Sequence, residues 1–141
     1  MKYKMTDETK VVYGITLHRI QALEDNRNIK AGDLLGWIEK ESNLSQEGWC
    51  VVFGDAEVYG DAEVRENQDI LWISSIGSRY DTTTFFKNQN GGISVSCGCF
   101  SGTLKEFEAA VAETHKNNCY AKDYQLAIQL AKLHIEGSEL E

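Results

Sequence analysis

Apolar positions along the chain change their spacing three times. The segment 11–20, "VVYGITLHRI", is rich in β-branched residues with partial alternation, which predicts a strand. In "KAGDLLGWIEKE" a Gly-Asp turn precedes an apolar strip of Leu34, Leu35, Trp37 and Ile38. Between 52 and 70 the spacing becomes six: Val52, Val58, Val64, Ile70 and Ile76 share one phase, Ala56 and Ala62 a second, Gly54 and Gly60 a third. A helix needs apolar residues three and four apart, and a plain strand alternates every two. Six suits one side of a parallel β-solenoid, with an aliphatic residue pointing inward, a small residue at the corner and Gly-Asp as the turn. A twisted hairpin that happens to repeat is the other architecture this pattern allows.

Downstream, "DTTTFF" and "ISVSCGCF" read as two strands around "KNQNGG", where Asn90-Gly91 predicts a hairpin with positive φ at both turn positions. In the second run Ile93, Val95, Cys97 and Cys99 share one face. Helical spacing starts at Thr103. "TLKE" is a capping box, with a Thr N-cap and Glu three residues on, and Leu104, Phe107 and Val111 follow. After "KNN" a second helix is expected from about Tyr120 to Glu136, with Tyr124, Ala127, Ile128, Ala131 and Ile135 on one stripe and Gly137 after its end. The expected fold is α+β. A β-rich body over 1–102 carries a short hexapeptide-type solenoid turn at about 52–75 and a β-hairpin at about 82–100. A C-terminal helical hairpin fills 103–141. In this reading 30–41 caps the open end of the repeat, where strand edges would otherwise be unpaired.

Composition narrows the function classes. The 141 residues hold no Pro, and 42% are hydrophobic, enough for a real core. The net charge of −8 repels phosphate backbones, so no general DNA or RNA binding is expected. "MKYKMTDETK" lacks the apolar stretch of a signal peptide, and no apolar run reaches membrane-spanning length. A cytoplasmic protein with free thiols is the expectation.

The tandem "FGDAEV" and "YGDAEV" resemble the hexapeptide repeat of left-handed β-helix proteins. The flanks, 18–52 and 73–115, look like segments that bracket "YGDA" repeats in phage and prophage hexapeptide-repeat proteins. The resemblance spans roughly 17–135 and implies a phage or prophage origin, hence the host cytoplasm. It carries over no activity. The repeat is short here, little more than one turn, so it cannot serve as a rod, and weight shifts to the flanks. A turn this short leaves open ends, so a homo-oligomer is expected.

Several residue groups are candidates for chemistry. Cys97, Cys99, His115 and Cys119 supply four zinc-ligand types, but C-x-C is not the usual C-x₂-C spacing. Two small core thiols and a surface His explain them more simply. A Cys/His nucleophile has no spacing to support it. Asp55 and Asp61 occupy equivalent repeat positions and read as solvated turns. The sixes contain no His, which removes the base that a hexapeptide acyltransferase would use. No catalytic set, metal site or cofactor is therefore assigned. Trp37, Trp49 and Trp72 read as core or interface aromatics.

"GSRYDTTTFFK", 77–87, is the most function-like stretch. Arg79 offers a planar fork for carboxylate or phosphate. Thr82, Thr83 and Thr84 carry hydroxyls, Tyr80 and Phe85 give faces for a base, and Lys87 adds charge. These seven residues form the expected site for a small anionic, nucleotide-like ligand. The leading expectation is a non-enzymatic phage accessory protein that counters host defence by sequestering such a signal in an oligomer. A structural or protein-binding module, such as an assembly factor or an inhibitor of a host complex, is the alternative. A Cys/His enzyme is the third.

Overall fold

Two four-stranded sheets and two C-terminal helices build the chain in the computed structural model, which describes residues 1–77, 80–98, 100–115 and 118–137. The class is α+β, as expected, and mostly strand. The first sheet runs β1 (Tyr3–Val12), β2 (Ile15–Ala22), β3 (Leu34–Ile38), β4 (Glu57–Val58) in that spatial order. Its first three strands are antiparallel, and β4 lies parallel to β3. The segment 11–20 is thus not one strand. Val12 pairs with Ile15 across a two-residue turn, Tyr13-Gly14, whose φ values of 52° and 76° are both positive, as in type I′ hairpins.

The tandem repeat makes two copies of one corner. Ala56 N–H donates to the Phe53 carbonyl, and Ala62 N–H to the Tyr59 carbonyl, both at 3.2 Å. Gly54 and Gly60 each have φ of 62° at the first central position, as in type II′ turns. Between the corners, Val52, Ala56, Val58, Ala62 and Val64 point inward and are buried. This rung stacks in parallel on 34–45. Gly36 N–H donates to Val52 O at 2.7 Å, and Ser45 N–H to Val64 O at 2.9 Å. A Cβ on Gly36 would lie 2.6 Å from Val52 Cγ1, so glycine there lets the two layers approach. Buried Asn43 holds the second corner, its amide donating to the Gly60 and Ala62 carbonyls at 3.0 and 3.2 Å. The segment expected to cap the repeat does lie against it, as strand β3. No further coil follows, and among the described residues no solenoid is built.

The second sheet is antiparallel in chain order: β5 (Ile70–Ile76), β6 (Asp81–Lys87), β7 (Ile93–Cys97), β8 (Phe100–Thr103). β6 and β7 form the expected hairpin. Its loop is organised by Asn88, whose Oδ1 accepts from Asn90 and Gly92 N–H, and only Gly91 takes positive φ. β8 was not foreseen. The two faces of β6 serve different cores: Phe86 joins the interior of the first sheet, and Phe85 the interior beneath the helices.

The helices are α1 (Leu104–His115) and α2 (Cys119–Glu136). The capping box forms: Glu106 N–H donates to Thr103 Oγ1 at 3.2 Å, and Thr103 N–H to Glu106 Oε1 at 2.9 Å. Those bonds lower the Glu106 pKa. Asn118 caps α2, accepting from Ala121 N–H. The expected stripe of Tyr124, Ala127, Ile128 and Ala131 is buried, with Ile135 packed at its edge. Gly137 keeps right-handed φ, −54°, so it is not a left-handed cap. α2 seats Tyr124 against Gly77, where a Cβ would fall 1.9 Å from the Tyr124 hydroxyl. Among the described residues no helix is long and apolar enough to cross a membrane.

Candidate functional site

Three segments far apart in the chain enclose a cleft of about 480 Å³. The β1–β2 turn brings Lys10, Val12 and Tyr13. The first corner of the repeat brings Asp55 and Glu57. The start of β6 brings Tyr80, Asp81 and Thr82, with Gly98 beside Asp81.

Glu57 ties these parts together. Its Oε2 lies 2.6 Å from Lys10 Nζ, its Oε1 accepts from Ser96 Oγ at 3.1 Å, and its N–H donates to Thr84 Oγ1 at 3.1 Å. One residue of the repeat thus fastens β1 to both strands of the β6–β7 hairpin. Lys10 also sits 4.4 Å above the Trp37 ring, whose other neighbour is the Arg19 guanidinium at 4.7 Å. With Lys10 engaged by Glu57, Asp55 and Asp81 have no cationic partner among the described residues. The described lining is therefore acidic. Asp81 lies close over Gly98, where a Cβ would come 2.3 Å from Asp81 Oδ2, so glycine there makes room for the carboxylate.

Tyr13 and Tyr80 both line the cleft, and they are 51% and 70% exposed. Both hold left-handed backbone, with φ of 52° and 54°. Bulky side chains rarely adopt this conformation; at Tyr13 the two-residue hairpin requires it, and at Tyr80 it is strain of the kind that concentrates at binding and catalytic sites.

Of the seven residues expected to form the site, the six that are described do not all converge. Tyr80 and Thr82 line the cleft, and Thr82 Oγ1 pairs with Ser74 Oγ at 3.0 Å. Thr83 is fully buried, and its Oγ1 has no hydrogen-bond partner among the described residues. Thr84 is buried at the junction with Glu57. Phe85 is a core residue, edge-on to Phe107 at 6.1 Å. Lys87 lies at the far end of β6, its carbonyl accepting from Glu63 N–H. Arg79 lies outside the described residues. So does Cys99, as does the side chain of His115. Cys97 is buried in the core beneath the helices and Cys119 is exposed at the start of α2, so these two thiols sit in different environments. Among the described residues no group of three or more His, Cys, Asp or Glu is placed to hold a metal ion.

Lys10, Tyr13, Glu57 and Asp81 were missed as site residues, and Asp55 was read as a solvated turn. Glu57 and Glu63 occupy equivalent positions in the repeat, and each donates its N–H to β6, yet the Glu63 carboxylate pairs with surface Arg65, at 3.1 Å. Their difference comes from what packs against each corner, which no local pattern encodes.

A second polar cluster lies where β1 begins. Lys2 is buried and donates from Nζ to the Glu47 carbonyl at 3.2 Å and to the Cys50 carbonyl. Tyr3 donates to the Leu44 carbonyl at 2.6 Å. Burial lowers the Lys2 pKa and raises those of Tyr3 and Cys50, the last to about 11. These bonds fasten β1 to 41–50, a structural task.

Compared with known proteins, the chain matches no protein family, no curated protein and no solved structure.

Proposed function

We propose that the protein is a non-enzymatic binding protein that sequesters a small nucleobase-bearing compound in the cleft between the β1–β2 turn and the start of β6. The observation that carries this reading is the pair of exposed tyrosines, Tyr13 and Tyr80, on one cleft whose Asp55 and Asp81 have no cationic partner among the described residues. An aromatic face stacks with a base at about 1–3 kcal/mol. Asp55 and Asp81 accept from the exocyclic amines and ring N–H groups of such a base. The cleft volume is within the range of small-molecule sites.

Charge sets the ligand class. Phosphate is disfavoured by the acidic lining, and the one described cation, Lys10, is held by Glu57. A nucleoside, or a nucleotide whose phosphates point away from Asp55 and Asp81, fits better than a compact polyphosphate. In this reading the binding serves counter-defence, where removing a signal needs no chemistry.

Calorimetric titration with matched nucleosides and nucleotides tests the site. The nucleosides are expected to bind more tightly than their triphosphates. Tyr80→Ala and Asp81→Asn should each weaken binding by roughly tenfold or more, a loss of about 1.4 kcal/mol. Equal affinity in both variants and the parent protein would remove the cleft from consideration.

A further inference from the structure

The outer edge of β5 and the outward side of α2 form one apolar face. β5 ends its sheet and, among the described residues, has one strand neighbour, β6. Edge strands invite pairing with other chains unless something blunts them. The other sheet's end strand, β1, has a register break between Met5 and Thr9 that holds Asp7 and Glu8. β8, the opposite end of the second sheet, is four residues long. β5 is seven residues, "ILWISSI", carries no charge, and keeps regular pairing over 70–73 before its own register break between Ile73 and Ile76, where Ser75 takes φ of 60°.

α2 packs along β5, and two hollows divide the strand between them. One, about 300 Å³, is lined by Val51, Ile70, Trp72 and His134. The other, about 370 Å³, is lined by Ile73, Ser75, Leu126 and Leu130. Leu126, Leu130 and Leu133 are 65%, 47% and 56% exposed. Their spacing of four and three puts them on one stripe beside that edge.

We propose that this face binds a second copy of the chain about a two-fold axis, β5 pairing antiparallel with β5 and α2 packing antiparallel on α2. The inference goes beyond the ligand reading and does not rest on it. A second copy is the occupant that supplies both halves at once, an unpaired strand edge and a leucine stripe, because an isologous interface is self-complementary. Charge agrees. The chain carries −8 overall, so most of its surface repels another copy, but Asp123 and His134 are the ionisable residues lining the two hollows. With Leu126 opposite Leu130 of the second copy, Asp123 falls beside that copy's 133–134, and an Asp–His pair forms twice through Nδ1, His134 Nε2 being held at 2.9 Å by the Asn67 carbonyl.

Sedimentation across a concentration series, on the parent protein and Leu130→Glu, tests this. The parent is expected to be a dimer and Leu130→Glu to weaken it by at least roughly tenfold, with helix content unchanged in circular dichroism. Amide exchange in the parent provides a readout independent of the variant's folding: the 70–73 amides should exchange faster on dilution. A parent that is monomeric at every concentration would overturn the proposal. So would a dimer indifferent to Leu130→Glu, or 70–73 exchange that ignores dilution.

Discussion

Burial governs Cys50 more than any neighbour does. Desolvation raises its pKa to about 11, and the nearby Lys2 charge only partly opposes this. In the unfolded chain the thiol ionises near pH 8.5, about its ordinary value. Between those limits the folded state holds the proton that the unfolded state has lost, so stability falls as pH rises. Tyr3, also raised, acts in the same direction at higher pH. Lys2, lowered by burial, acts oppositely, because the unfolded chain keeps its proton longer. Urea midpoints at a series of pH values should therefore show a decline above about pH 8.5 that is smaller in Cys50→Ala. Parallel declines in both proteins would show that Cys50 is not its source. None of this was legible in "MKYKM", where Lys2 and Lys4 look alike and only the first is buried. Their difference is made by 41–50 closing over the start of β1.

Among the elements, the two corners of the tandem repeat match the sequence reading, because turn information is local, whereas the solenoid expected from the repeat is not built among the described residues. A turn needs its glycine at a fixed place, and both corners have it. Neither Gly54 nor Gly60 has any atom within 4 Å of an added Cβ, so the cost of Ala there is the left-handed backbone alone. Gly54→Ala and Gly60→Ala should each destabilise by about 1–2 kcal/mol, and by similar amounts, in chemical denaturation. A large cost at one and none at the other would contradict two equivalent corners. The capping box at Thr103 and the stripe on α2 were legible for the same reason. The break at Tyr13-Gly14 was hidden because tyrosine is a poor marker of positive φ. β8 was hidden because "FSGT" is a strand only by pairing with β7.

At the scale of the whole molecule, the cleft joins 10–13, 55–57 and 80–82, which only the fold brings together. Sequence reading reached Tyr80 and Thr82 because they stand in a polar, turn-rich stretch. It overreached to Thr83, Thr84 and Phe85, because β6 looks uniformly decorated until its two faces are assigned to two cores. The anionic ligand expected from that stretch gives way, in the proposal, to a base-bearing one, since Asp55 and Asp81 border the cleft. The most direct measurement is mass spectrometry of the small molecules that the purified protein releases on heating, after incubation with a bacterial lysate, compared with Asp81→Asn. Release of an unaltered nucleobase-bearing compound by the parent, and its loss in the variant, is the expected result. Release of a chemically altered product, or the same compound in equal amount from both proteins, would contradict sequestration in this cleft.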